Sequence, residues 1–274
     1  MARKLKLRLD KLKLRLEHRR RLQQGLKKVG ILIIVILIYY WAWQGLKIDT
    51  TVLDNAAHYL QVFLADFYPP DWSVLDLALQ ALIETIQMSI IGTTLGAIFS
   101  FPLAIASSHR LSPPWLNWGA NFLQNLIRSI PSIVLALIFV AAVGLGEIAG
   151  TLAVSVYTIG YLAKFYQEAI ESVDPHSLEA LKISGASWFQ MTQYGILPQI
   201  LPLCLGYTLY MFEYNIRISS IFGVVGAGGI GFELVTYING FERPKAATFM
   251  IVLLVVVTVI DAVSSKLRQK LESS

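Results

Sequence analysis

Three glycines near the C-terminal end, Gly226, Gly228 and Gly231 in V-V-G-A-G-G-I-G-F-E, stand in G-x-G-x-x-G spacing. Between a strand and a helix, that spacing lets backbone approach a dinucleotide pyrophosphate. A short way upstream, Glu213 and Arg217 are four residues apart in M-F-E-Y-N-I-R. On a helix they share one face and can pair. Asn215 between them, and Arg128 in R-S-I-P-S, add polar groups suited to an oxyanion, for which arginine offers a forked set of donors. His18, His58, His109 and His176 are scattered without ligand spacing, and Cys204 is the single cysteine, so disulfide and cysteine–metal chemistry are excluded. No G-x-x-x-x-G-K-[ST] loop occurs, so ATP, if used, is bound by a partner.

What these groups can do depends on the elements that carry them. The chain has 274 residues, 55% hydrophobic and 15% charged, with mean hydropathy +0.58. A soluble domain carries about a quarter charged residues. The apolar residues also come in blocks: from Ala246 to Val263 the one charge is Asp261. A helix of roughly 20 residues crosses a hydrocarbon core of ~30 Å. Six such spans are expected, at about 29–46, 83–107, 119–143, 148–165, 199–222 and 245–263. The fold class is therefore an all-α integral membrane protein. The 28-residue basic stretch ahead of the first span, with no cleavage site after Trp43, favours a retained helix over a signal peptide.

Charge sets the orientation. Residues 1–28 hold twelve of the 23 Lys and Arg, against two acids. The next connection carries Asp49, Asp54, Asp66, Asp71 and Asp76 against Lys47. Basic flanks stay inside, so both termini are expected in the cytoplasm. The organisation read from this is a basic arm at 1–28, a first span at 29–46, an acidic outer connection at 47–75, a membrane domain at 76–265 and a tail at 266–274. Within the arm, K-L-K-L-R-L-D and K-L-K-L-R-L-E put Leu5, Leu9, Leu12 and Leu16 on one helical face. Such a helix can lie on the anionic inner leaflet, with membrane lipids as its partner, or serve as a topology anchor alone. Nothing aromatic or base-reading accompanies the charge, so nucleic acid is not expected as a partner.

The glycine motif can now be judged. It follows a membrane span, and the 43 residues after Gly231 are mostly another span, which leaves no room for a second βαβ unit. Two uses remain for Gly226, Gly228, Gly229 and Gly231: a gate or re-entrant turn, where non-helical backbone lines a cavity, or a simple outer loop. The intramembrane charges also have two readings. Glu213 and Arg217 neutralise each other, or Arg128, Asn215 and Arg217 line a translocation path.

The longest polar connection among the later spans runs from Ser172 to Pro198. Asp174-Pro175 is a helix start, with a capping carboxylate and a proline where no N–H is missed. Gly185 is a stop, a second short helix starts near Ser187, and Pro198 marks entry to the next span. A helix–turn–helix is expected at the cytoplasmic face. This stretch resembles the E-A-A-x3-G-x9-I-x-L-P loop of permease subunits in ATP-binding-cassette (ABC) importers, matched by Glu179, Ala180, Gly185, Leu197 and Pro198. Leu181 stands where that loop has its second alanine, and Gly195 where it has isoleucine. L-P-Q-I-L-P-L-C-L-G-Y-T-L-Y-M-F-E-Y-N-I-R, the glycine run and R-S-I-P-S extend the likeness to phosphonate-importer permeases over about 76–265.

The resemblance implies a type I importer transmembrane fold and a cytoplasmic coupling loop at 172–198. It also implies a bacterial inner-membrane location, a homodimer, two ATPase subunits inside and a substrate-binding protein outside. A small oxyanion, phosphonate or phosphite, is the implied substrate. The alternatives are a related importer for another small substrate such as an amino acid, or a channel.

Overall fold

The computed structural model describes residues 27–46 and 50–272, and among them no strand occurs. The arm and its leucine repeat lie outside the described residues. The chain divides into two units, Met1–Phe63 and Leu64–Ser274. The first contains α1 (Lys27–Gly45) and most of α2 (Thr50–Ala65). Side chains from Ile31 to Trp43 are exposed around α1, as suits a helix surrounded by lipid. α2 falls in the acidic connection, where the sequence reading placed no helix.

The second unit is a helical bundle. α3 (Leu75–Ser107) is followed by α4 (Pro114–Ser129), α5 (Ser132–Val143) and α6 (Glu147–Ser172). α7 (Pro175–Ile183) and α8 (Trp188–Gln190) lead through a π-helical segment, Met191–Ile196, directly into α9 (Leu197–Phe222). α10 (Gly229–Asn239) and α11 (Arg243–Glu272) complete it. The expected span at 119–143 is bent: α4 and α5 meet at 88°. Ile130, at φ −82° and ψ 121°, is extended because Pro131 disfavours helical backbone before it, and Pro131 itself gives no N–H. Counting this pair as one crossing gives six spans among the described residues.

The broadest helix contact in the bundle is between α3 and α6, which run parallel. A Cβ on Gly92 would meet Val154, and one on Gly96 would meet Thr158. This G-x-x-x-G pair lets the backbones approach, and packing of that kind, rather than hydrophobic exclusion, drives association within lipid. α9 runs antiparallel to both. The Ser89 and Ser219 hydroxyls lie 3.1 Å apart, and Asn215 Nδ2 donates to Thr93 and Thr158 Oγ1 at 2.8 Å each. α11 is antiparallel to α9. That register sets its apolar run beside the C-terminal half of α9 and beside α10, where Ile230, Phe249 and Val252 pack with Ala78, Ala81 and Leu82. At the start of the bundle the Asp71 carboxylate accepts from Ser73 N at 2.9 Å, and these bonds hold it below its usual range.

Candidate coupling loop and membrane-embedded polar sites

The loop between α6 and α9 is built by local rules. Asp174 caps α7 by accepting from His176 N at 3.1 Å, with Pro175 as the first helical residue. At the other end Gly185 takes φ +81°, and Ala186 N donates to Leu181 O while Gly185 N donates to Lys182 O, both at 3.1 Å. This is the paired closure that a left-handed glycine permits. Ser187 and Gln190 then form a capping box. The expected helix–turn–helix is present, and Trp188 Nε1 ties it to the α3–α4 turn by donating to Leu111 O at 3.0 Å.

Among the motif residues, Glu179 and Ala180 are exposed on α7, Gly185 makes the turn, and Leu197 and Pro198 begin α9. Ile183 is 88% exposed, and Phe189 and Tyr194 are exposed nearby, so the loop presents apolar surface outward. The two departures from the importer motif touch each other. A Cβ on Gly195 would lie 2.6 Å from Leu181 Cδ1 and 3.1 Å from Leu178 Cδ2. The larger residue at 181 fills the room left by the smaller one at 195.

In the spans, Arg217 Nη2 donates to Glu213 Oε1 at 2.6 Å, as the spacing requires. α11 adds two partners that the sequence reading did not bring to this site. Arg268 Nη2 lies 3.3 Å from Glu213 Oε2, and Asp261 Oδ1 lies 3.8 Å from Arg217. Glu213 has a side chain only 5% accessible, so its charge is held between two arginines. The four groups balance in formal charge. Asp261 was visible as the one charge in its run, but nothing in the sequence states which helix lies beside it.

Arg128 and Asn215 are elsewhere. Asn215 turns to the opposite side of α9, into the hydroxyls of α3 and α6, and its Oδ1 is buried without a hydrogen-bond partner. Arg128 ends α4, where the helix dipole favours a cation. Its guanidinium carbon sits 5.2 Å above the Tyr161 ring of α6. The expected path residues thus occupy three separate contacts.

The glycine run turns the chain from α9 into α10. Gly226, at φ +85°, accepts from Gly146 N at 2.9 Å, which joins this turn to the α5–α6 turn. Gly228 and Gly229 also have positive φ, and Ile230 N donates to Thr85 Oγ1 at 2.8 Å. A Cβ on Gly231 would run into the carbonyl oxygen of Ser220. The glycines therefore fold α10 back against α9 rather than cradle a pyrophosphate.

Comparison with known proteins agrees with this architecture. The chain is 38% identical over 245 residues to the phosphite transport system permease protein PtxC of Stutzerimonas stutzeri, covering 89% of this chain and 88% of that protein. It is 36% identical over 237 residues to the putative phosphite transport system permease protein HtxC of the same organism, covering 86% and 84%. A probable D-methionine transport system permease protein, MetI of Vibrio cholerae, is 28% identical over 211 residues, covering 72% and 93%. Among solved structures, an inward-facing MetNI methionine ABC transporter chain matches with TM-score 0.66 at 21% identity, covering 73% of this chain and 99% of that one. That likeness carries the fold: the bundle is that of a type I importer permease. The family model described as "Binding-protein-dependent transport system inner membrane component" matches residues 92–273, and the chain, a multi-pass membrane protein, belongs to that family.

Proposed function

We propose that the chain is the permease of an ABC importer for a small phosphorus oxyanion of the phosphite or phosphonate class. The observation that carries this reading is the 38% identity, along nearly the whole of both chains, to a phosphite permease. Two copies enclose the path, two ATPase subunits bind and hydrolyse ATP inside, and a binding protein delivers substrate outside. Both termini are cytoplasmic. Glu179, Ala180 and Gly185, with Leu197 and Pro198 at the foot of α9, receive the ATPase, and the exposed apolar residues around them support that role.

Arg128 and Arg217 line the path, with Glu213 holding Arg217 in place, while the buried Asn215 braces α9 against α3 and α6 behind that lining. The turn at Gly226, Gly228, Gly229 and Gly231 gates it. Arg128 supports the anionic substrate most directly, since a cation within the spans, with no carboxylate in ion-pair range among the described residues, is costly unless it serves a ligand.

The test is uptake by proteoliposomes holding the permease with its ATPase and binding protein. Phosphite, methylphosphonate, phosphate and methionine are offered in turn. Uptake of phosphite or methylphosphonate is expected. Uptake of methionine alone would transfer the chain to the amino-acid importers.

A further inference from the structure

The faces of α6 and α9 that meet carry tyrosines at helical spacing, Tyr157 and Tyr161 on one, Tyr210 and Tyr214 on the other. Their rings form an unbroken row with a guanidinium at each end. Arg128 lies 5.2 Å above Tyr161, Tyr161 is 4.5 Å from Tyr157, Tyr157 is 6.0 Å from Tyr214, and Tyr214 is 6.4 Å from Tyr210. Arg268 closes the row 5.7 Å from Tyr210.

The two ends are not equivalent. Arg268 has the Glu213 carboxylate 3.3 Å away. Arg128 has no carboxylate partner among the described residues, and its Nε is buried without a hydrogen-bond acceptor. The hydroxyls beside that end share the imbalance. Tyr157 donates to the Tyr214 hydroxyl at 3.3 Å, and the Tyr161 ring lies 4.5 Å from the Tyr157 ring. Each phenol must place one proton, and the Tyr214 O–H finds no acceptor among the described residues. Around Arg128 the wall therefore offers positive charge and spare donors. The complement is a ligand made of acceptors and carrying negative charge, and a small tetrahedral oxyanion is such a ligand.

We propose that Arg128, with Tyr157, Tyr161 and Tyr214, forms an oxyanion contact on the wall of the path, and that the phenols help select the substrate. This rests on the oxyanion-importer reading above. One cation and neutral phenols hold an anion without trapping it, as a path requires. Arg268, already balanced by Glu213, anchors the far end of the row.

The experiment uses the complete importer in proteoliposomes, with phosphite and methylphosphonate as probes. Wild-type uptake is measured first. Failure to carry phosphite, methylphosphonate or phosphate would overturn the importer reading and this site with it. Given wild-type uptake, Tyr161→Phe/Tyr214→Phe keeps both rings and removes two hydroxyls. Uptake is expected to fall about 10-fold or more, the scale of lost hydrogen bonds to a charged group. Thermal stability should fall only modestly, since the Tyr157 hydroxyl loses the Tyr214 acceptor while both rings keep their packing. Arg128→Lys should keep part of the uptake, and Arg128→Gln should lose about 100-fold or more. Uptake within twofold of wild type in the tyrosine double variant would overturn the site. So would a parallel fall in stability and uptake, which would make the row packing alone.

Discussion

Leu181 and Gly195 share one space in the coupling loop, so neither can change alone without cost. Gly195→Ile puts a branched side chain where Leu181 Cδ1 lies 2.6 Å from the position of a Cβ, and overpacking of this kind costs about 1–3 kcal/mol. Leu181→Ala alone leaves a void. The double variant, which restores the residues of the importer motif, should recover most of the thermal stability and ATPase stimulation. Additive losses in the double variant would show that the two positions are independent. Glu213 gives a second ordering. Glu213→Gln leaves two arginines without a carboxylate at that point and should destabilise by about 3–5 kcal/mol. Arg217→Gln should cost far less, on the order of 1 kcal/mol, because Arg217 is 43% accessible and Arg268 remains with Glu213. Thermal melts in detergent would check the order, and a larger loss for Arg217→Gln would reverse it.

At the scale of elements, the signals that were legible are those written in consecutive residues. Asp174-Pro175, Gly185 and Ser187 announce their caps in order, and the loop forms as they say. The i, i+4 spacing of Glu213 and Arg217 likewise fixes their contact. What could not be read is pairing between distant segments: Arg268 with Glu213, or the G-x-x-x-G of α3 against α6. Apolar runs in a membrane protein state that a helix crosses but not which neighbour it meets. The bend at Pro131 was signalled by that proline, yet the continuous hydropathy on both sides masked it. The glycine run was open to two readings, and its close packing decides what each residue tolerates. Gly231→Ala should separate α10 from α9 and lower the melting temperature, by the equivalent of about 1–3 kcal/mol. Gly119→Ala, inside α4 with nothing within 4 Å of its added carbon, should leave the melt unchanged or raise it slightly. Equal behaviour of the two variants would mean that α10 yields freely.

For the whole molecule, the proposed orientation can be checked with the chain's own composition. Cys204 is the single cysteine, so Cys204→Ser gives a background free of thiols. On it, Ser184→Cys in the coupling loop should react with a membrane-impermeant maleimide only in inside-out vesicles. Tyr68→Cys, 80% exposed in the wild type before α3, should react only in right-side-out ones. Labelling of both from one side would break the six-crossing topology. The basic arm is a separate matter. Removing residues 2–17 leaves Arg19, Arg20, Arg21, Lys27 and Lys28 to hold orientation. Uptake should then persist at a comparable rate per inserted protein, and its complete loss would give the arm a role in transport itself.

The chain passes from α8 through Met191–Ile196 into α9 without a loop. Mechanically this is a lever with a softer joint at its foot, followed within the helix by Pro202. The 26 residues of α9 extend about 39 Å, and the π-helical segment at its foot is where the rod can take up twist, such segments being common at functional sites. In the proposed coupling role, a load applied at the Gly185 turn would be delivered as tilt, with displacement growing along the rod. Tyr214, Asn215 and Arg217 ride on it at nearly the same distance from the fulcrum, so one stroke moves all three. The joint also sets how much of the stroke is lost as slack. A chain with that segment tightened to regular α-helix would transmit the same push through a stiffer linkage and rotate the whole face of α9 by the missing fraction of a turn.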